Sequence, residues 1–477
     1  MKLKSDPIEI PKLEDIENED QIFKNDKLKR KEEIEILTNF VQNVETPFVI
    51  TVNSQWGNGK TTFIRLWRRY LEFKNIPTIL FNAWETEFLD MPLFSLIGEL
   101  DEHITENKNI RQQEKEKLKN AAKGIYDNKL NILIKLLSRG TLAAEEFKNN
   151  YDFSIEKYKE LKKGINDLKD NVNDTIKDIL KKYNKNYKNK EKNKEITGDI
   201  NIFNPNNLIF FIDELDRCKP FYVINMLEKI KHFFNIKNVV FVLSIDKNQI
   251  QNALKSVYSN EIEAKQFLNK IIDLNYDLKS ISSEKYLQSL ITKFGIEILN
   301  EEKNIYGEKI NIIKIIRYFC NKKGYSYRQK EFFIRYIVLV SKVIQELDEI
   351  TFVFTPFIIF IMLEDKNSYK KILNNNYNPQ KLINNIIKNH NINDNSFNKK
   401  YLGIVEALLR YKKNDPEMLE SYRNNYTRNE DGSKSRAYYV VSTITSLGKN
   451  IKEIKEKMEK IIRSINLLEG IFFSSEK

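Results

Sequence analysis

At 477 residues, 41% of them hydrophobic, the chain is too long for one core and apolar enough for several, so two or three domains are expected. Its two cysteines, Cys218 and Cys320, form no CxxC pair, and His103, His232 and His390 lie in unrelated segments, which argues against a disulfide framework, a zinc site or histidine chemistry. A net charge of +12 permits contact with nucleic acid or an anionic surface without requiring it, and the N-terminus lacks the apolar segment of a signal peptide, so a cytoplasmic protein is expected.

Residues 1–25, mixed in charge with Pro7 and Pro11, read as an arm that packs on something rather than folding alone. From Asp26 to Asn43 the apolar positions Ile34, Leu37, Phe40 and Val41 recur at helical spacing and lead into a first strand. The segment before such a strand often closes over a nucleobase, which makes Leu28 and Arg30 candidate adenine-side contacts.

Phe48 to Phe63, FVITVNSQWGNGKTTF, joins an apolar β-branched run, a glycine-bearing turn and a Lys-Thr-Thr helix opening. It fits the phosphate-binding pattern G-x-x-x-x-G-K-[ST] from Gly59 onward, with Ser54 in place of the first glycine. The candidate cofactor-binding loop is Ser54, Gln55, Trp56, Gly57, Asn58, Gly59, Lys60, Thr61 and Thr62. In it the two glycines let the backbone turn sharply, and the N–H groups of Gln55 to Thr61 wrap a β-phosphate. Lys60, expected on a solvent-facing loop, reaches the β- and γ-phosphates, and the Thr61 hydroxyl ligates Mg²⁺, so ATP and Mg²⁺ are the expected cofactors. On the helix from Thr61 to Phe73, Phe63, Leu66, Trp67 and Tyr70 share a core face.

Thr78 to Trp84 reads as a second strand and Asp90 to Ile104 as a helix, after which the composition turns polar and basic through residue 198. Inside that insert Ile155, Tyr158, Leu161, Ile165, Leu168, Val172, Ile176, Ile179 and Tyr183 follow at intervals of three and four. Such a stripe marks an antiparallel helical hairpin packing on itself, or a coiled-coil arm that recruits a partner, and either leaves 150–198 separable from catalysis. Tyr187 to Asn206 reads as a polar, basic linker.

Asn207 to Lys219, NLIFFIDELDRCK, is an uninterrupted apolar strand ending in acids, the composition of a central parallel strand buried on both faces. At the C-terminal end of such a strand Asp213 holds Mg²⁺ and Glu214 orients or deprotonates the attacking water. Arg217 either pairs with Asp216 or Glu214 as a brace, or points across a subunit interface at a neighbour's phosphoryl group. After a helix from Pro220 to Asn235, the strand Asn238 to Ile245 ends in Ser244 and Asp246, where a polar side chain would face the γ-phosphate beside Asp213, and Phe267 to Tyr276 supplies a fifth strand. Strands alternating with helices in this way define a doubly wound α/β sheet.

Beyond residue 280 the pattern is helical. Ser326 to Leu339 reads as a capped helix with Arg328 and Arg335 on one face. The longest uncharged apolar run, Ile350 to Leu363, holds Pro356 and falls short of the roughly 20 residues that span a bilayer, so no membrane span is expected. Tyr438 to Ile444 is ambiguous between helix and strand. The expected domains are the first part of a nucleotide-binding core at 1–104, a helical insert at 105–198, the second part of the core at 199–280, a helical lid at 281–345 and a C-terminal helical region at 346–477.

Taken in order, SQWGNGKTTF, ILFNAW, IFFIDELDRCKP, VVFVLSID and FLNKIIDL resemble the KAP family of P-loop NTPases over roughly residues 26–345. The resemblance implies an additional-strand (ASCE/STAND-like) ATPase core with a helical insert and a mostly α-helical C-terminal region. It implies Ser244 at a sensor-like position, Arg328 as the arginine of an S-x-R lid helix, and a role in bacterial anti-phage defence. The expected protein is therefore an Mg²⁺-dependent, ATP-hydrolysing switch with Glu214, Arg217 and Arg328 as catalytic candidates and Thr61 and Asp213 as metal ligands. A protein partner or self-association through the insert or the C-terminal helices is expected with it. An ATP-regulated scaffold without turnover and a DNA-associated loader or translocase are the alternatives.

Overall fold

Phe48–Asn53, Leu208–Asp213 and Val239–Ile245 carry few polar side chains before their last residues, so neither face can meet water. They form the three inner strands of a five-stranded parallel sheet. The structure, a computed structural model, describes residues 9–106, 155–192 and 202–473 apart from 233–234, 259–262, 280–282, 295–301, 306–307, 323, 345–347, 391, 393–394, 414–433 and 448–450. Two units are present, Asp6–Ser280 and Ile281–Lys477.

In chain order the first unit holds α1 (Glu19–Phe23), α2 (Lys31–Asn43), β1 (Phe48–Asn53), α3 (Lys60–Phe73), β2 (Thr78–Asn82), α4 (Ala83–Thr86) and α5 (Pro92–Glu106). It continues with α6 (Ile155–Lys192), β3 (Leu208–Asp213), α7 (Pro220–His232), β4 (Val239–Ile245), α8 (Lys247–Tyr258), α9 (Ala264–Asn269) and β5 (Leu274–Asp277). The sheet order is β2-β3-β4-β1-β5, so β4 is interposed between the strand that feeds the loop and the strand that ends in carboxylates. This is the additional-strand α/β arrangement that the motifs implied.

Successive side chains of a strand point to opposite faces. One face places Ile50, Val52, Phe211 and Val242 in a cluster with Ile34, Phe63, Leu66 and Trp67 of α2 and α3. The other places Phe81, Phe210, Ile212, Phe241 and Leu243 with Leu96 of α5, Met226 of α7 and Ile250 of α8. Trp67 is fully buried, edge-on to Phe211 at 5.3 Å, and its indole N–H donates to Thr38 Oγ1 at 3.0 Å. The arm before Asp26 packs as expected of it: Ile22 of α1 joins the first cluster and Glu19 pairs with Lys74 at 2.8 Å.

Three elements of the first unit differ from the sequence pattern. The strand from Thr78 stops at Asn82, because the Asn82 side chain accepts from Trp84 N at 3.2 Å and caps α4 instead. The expected strand Phe267 to Tyr276 begins as helix α9, and only Leu274–Asp277 pairs, with β1. In α6, Leu168, Val172, Ile176, Ile179 and Leu180 belong to the cluster on the second face of the sheet, so this part of the stripe packs on the core, an arrangement the sequence reading did not include. Residues 107–154 of the insert and 193–201 of the linker lie outside the described residues.

The second unit comprises α10 (Ser283–Phe294), the antiparallel pair β6 (Glu302–Ile305) and β7 (Glu308–Asn311), which breaks the helical pattern expected beyond residue 280, α11 (Ile312–Lys322), α12 (Tyr327–Ile344) and α13 (Glu349–Glu364). There follow α14 (Lys366–Leu373), α15 (Pro379–Asn389), α16 (Ser396–Lys413), α17 (Arg436–Leu447) and α18 (Ile451–Phe473). The apolar run at Ile350 is the buried helix α13, packed among α11, α12, α14, α16 and α18, which explains why it is hydrophobic all round. Among the described residues no helix is long and apolar enough to cross a membrane. The ambiguous Tyr438 to Ile444 is helical in α17. That helix approaches α16 so closely that a Cβ on Gly403 would stand 2.6 Å from Tyr439 Cβ.

Candidate functional site

The tip of β1 is tied to both neighbouring strands before the chain turns. Asn53 Nδ2 donates to Asp277 Oδ1 at 2.6 Å, its Oδ1 accepts from Lys247 N at 2.9 Å, and Ser54 N donates to Ile245 O at 3.2 Å. Gly57 and Gly59 have φ of 82° and 85°, a left-handed backbone that glycine adopts at no steric cost. Ser54 is not in that region, so a Cβ is tolerated where the motif usually has its first glycine. Gly59 opens α3 without a side-chain cap, which leaves the N–H groups of Lys60, Thr61 and Thr62 and the helix dipole available to an anion.

Lys60 is not solvent-facing as expected: it is 8% exposed, because its long stem lies within the loop that it serves. Its ammonium donates to Ser54 O at 2.6 Å and stands 3.5 Å from Asp216 Oδ2. The same Asp216 oxygen accepts from Trp56 Nε1 at 2.7 Å and from Asp246 N at 2.7 Å. Sequence reasoning did not single out Asp216 as a site residue. The only signal was its place in the acidic tract, since its partners come from positions 56, 60 and 246.

β3 ends in Asp213, which pairs in register with Asn82 and whose Oδ1 accepts from Glu214 N at 3.0 Å. Glu214 takes a φ of 59°, which costs a residue with a Cβ about 1 kcal/mol and turns the chain off the sheet into the 3-10 turn Leu215–Arg217. Arg217 Nη2 lies 3.1 Å from Glu214 Oε1, and its guanidinium is 5.3 Å from the centroid of the Trp84 ring, so it is paired within its own chain.

Ser244 of β4 pairs in register with Val52, one step beyond the Ile212 and Leu243 pair, and so stands in the row of Asp213. It is fully buried, and among the described residues its hydroxyl has no hydrogen-bond partner. Leaving such a group unmatched costs about 1–3 kcal/mol, a cost that an incoming oxygen at the strand tip would remove.

The segment before β1 lies against the loop. A Cβ on Gly59 would meet Leu28 Cδ1 at 3.2 Å, while buried Arg30 donates to Lys279 O at 2.7 Å and pairs with Glu33 at 3.2 Å. Burial pushes the Asp26 carboxyl up, opposed by the N–H bonds it accepts from Arg30 and Leu28. Burial likewise pushes the Cys218 thiol up to about 12, with Glu87 adding to the shift. Arg328 is exposed on the first turn of α12 in the second unit, behind the capping box in which Ser326 N donates to Gln329 Oε1 at 2.9 Å. The structure thus brings Ser54 to Thr62, Asp213, Glu214, Arg217 and Ser244 to one end of one sheet, whereas Arg328 belongs to the other unit.

Among the described residues no group of three His, Cys, Asp or Glu side chains could hold a metal ion. Thr61, on the first turn of α3, and Asp213, at the tip of β3, each offer one hard oxygen at this end of the sheet, ligand chemistry that suits Mg²⁺, an ion that keeps waters and takes phosphate oxygens rather than a full protein cage.

The family model described as the KAP family P-loop domain matches residues 30–322. Among solved structures, the Aeropyrum pernix ORC2 protein in its ADPNP-ADP complexes is similar at 12% identity and a TM-score of 0.31, with 92% of this chain and 94% of that chain covered. The curated proteins contain no match.

Proposed function

The chain belongs to the KAP family of P-loop NTPases, and from that premise we propose that it is an Mg²⁺-dependent ATPase that works as a conformational switch. The observation that carries this reading is the fully buried, unmatched hydroxyl of Ser244 in the row of Asp213, on the strand between the loop strand and the acidic strand. A γ-phosphoryl oxygen at that tip would satisfy it.

The first-turn amides of α3 and the N–H groups of the loop bind the phosphates, and Lys60 exchanges Ser54 O for a phosphate oxygen. Thr61 and Asp213 would hold Mg²⁺, which would supply positive charge to the phosphates. Glu214 takes the proton of the attacking water, for which its carboxylate must leave Arg217. Leu28, pressed on Gly59, bounds the base side.

Ser244→Ala tests the reading, because it removes the unmatched hydroxyl with little change of volume. Melting temperature should hold or rise while ATP turnover falls, and unchanged turnover would remove Ser244 from the reaction.

A further inference from the structure

One carboxylate oxygen gathers groups from three elements. Asp216 Oδ2 accepts from Trp56 Nε1 of the loop and from Asp246 N at the turn from β4 into α8, each at 2.7 Å, and Lys60 Nζ of α3 stands 3.5 Å away. The Asp216 side chain is 2% exposed, and a carboxylate so buried is stable only where donors and a cation compensate it. Lys60 is that cation. Given the ATP-binding function proposed above, it must serve a second anion as well, the nucleotide phosphate.

We infer that Asp216 is a positioning residue that stands in for phosphate. It holds the Lys60 ammonium and the Trp56 indole in place, and it competes with the β- and γ-phosphates of a bound nucleotide for Lys60. The protein thereby keeps a preformed, neutralised phosphate site at the cost of nucleotide affinity.

Competition has a signature that a merely structural role lacks. Asp216→Asn keeps an oxygen for Trp56 and Asp246 N but removes the negative charge beside Lys60. ADP and a non-hydrolysable ATP analogue should then bind about tenfold tighter. AMP, which lacks the phosphates that Lys60 reaches, should bind as it does to the parent. The test is calorimetric titration of all three nucleotides, with Mg²⁺, into the full chain and into Asp216→Asn, with melting curves alongside. Asp216→Ser, also neutral, should repeat the result. Tighter ADP and ATP-analogue binding with AMP unchanged supports the inference. Equal or weaker binding by either cooperatively melting variant overturns it, as does loss of cooperative melting in both, which would make Asp216 a fold-bearing group. A parent chain that binds none of the three nucleotides would instead remove the proposed function.

Discussion

The guanidinium of Arg217 lies 3.1 Å from the carboxylate of Glu214 in the same chain, with Trp84 beneath it. We read an arginine so held as a local brace of the resting site rather than as one presented to a neighbouring subunit. Turnover per subunit should therefore stay flat across roughly a hundredfold dilution, and mixing Arg217→Ala with Glu214→Gln should restore nothing. An arginine acting in trans, worth about 10³ in rate, would give activity that rises with concentration and rescue on mixing.

Lys60→Ala should cost stability as well as nucleotide binding. Lys60 is buried against Asp216, so its loss leaves a buried carboxylate short of its cation, at about 3 kcal/mol. Urea unfolding checks this: the midpoint should fall for Lys60→Ala and fall less for Lys60→Arg. A midpoint equal to the parent's would show that the ion pair adds nothing.

The insert helix is part of the nucleotide unit. Ile176 is 2% exposed among residues that also cluster with the sheet, so Ile176→Ala should destabilise that unit by about 3 kcal/mol. Deletion of 155–192 should abolish its cooperative melting. A deletion variant that melts like the parent would restore the picture of a detachable arm.

What the sequence made legible follows the physics of burial. β3 and β4 were readable because strands covered on both faces must be apolar throughout, and the loop because Gly-Lys-Thr after such a strand serves one chemistry. Edges were not. β5 alternates between half-buried and exposed side chains over four residues, and the apolar run before it is helical in α9. Tyr438 to Ile444 is β-branched yet helical because Gly403 lets α17 seat on α16, a long-range fact. The stripe of α6 carried the right period but not the sheet contact, since a 3.6-residue repeat says that a face is buried but not against what. Asp216 was hidden for the same reason.

His103 of α5 is pushed down to about 4 from 6.5, chiefly by burial, with Arg68 and Lys182 adding to the shift. The unfolded chain takes up a proton near pH 6.5, whereas the folded one resists until about pH 4. The stability that neutral His103 contributes is thus complete above 6.5 and lost as pH falls to about 4, by up to about 3 kcal/mol. Urea unfolding of the parent and His103→Gln at pH 7, 5.5 and 4 checks it. The parent should lose more stability than the variant, and parallel losses would contradict the assignment.

Phosphate release from ATP by the parent and by Glu214→Gln, with and without Mg²⁺ and beside an ATP-binding titration, tests the central claim most directly. The parent should turn over only with Mg²⁺, and the variant should bind ATP like the parent while its turnover falls by about 10² or more. A parent that binds ATP without hydrolysing it, or a variant that hydrolyses as fast as the parent, would contradict the account.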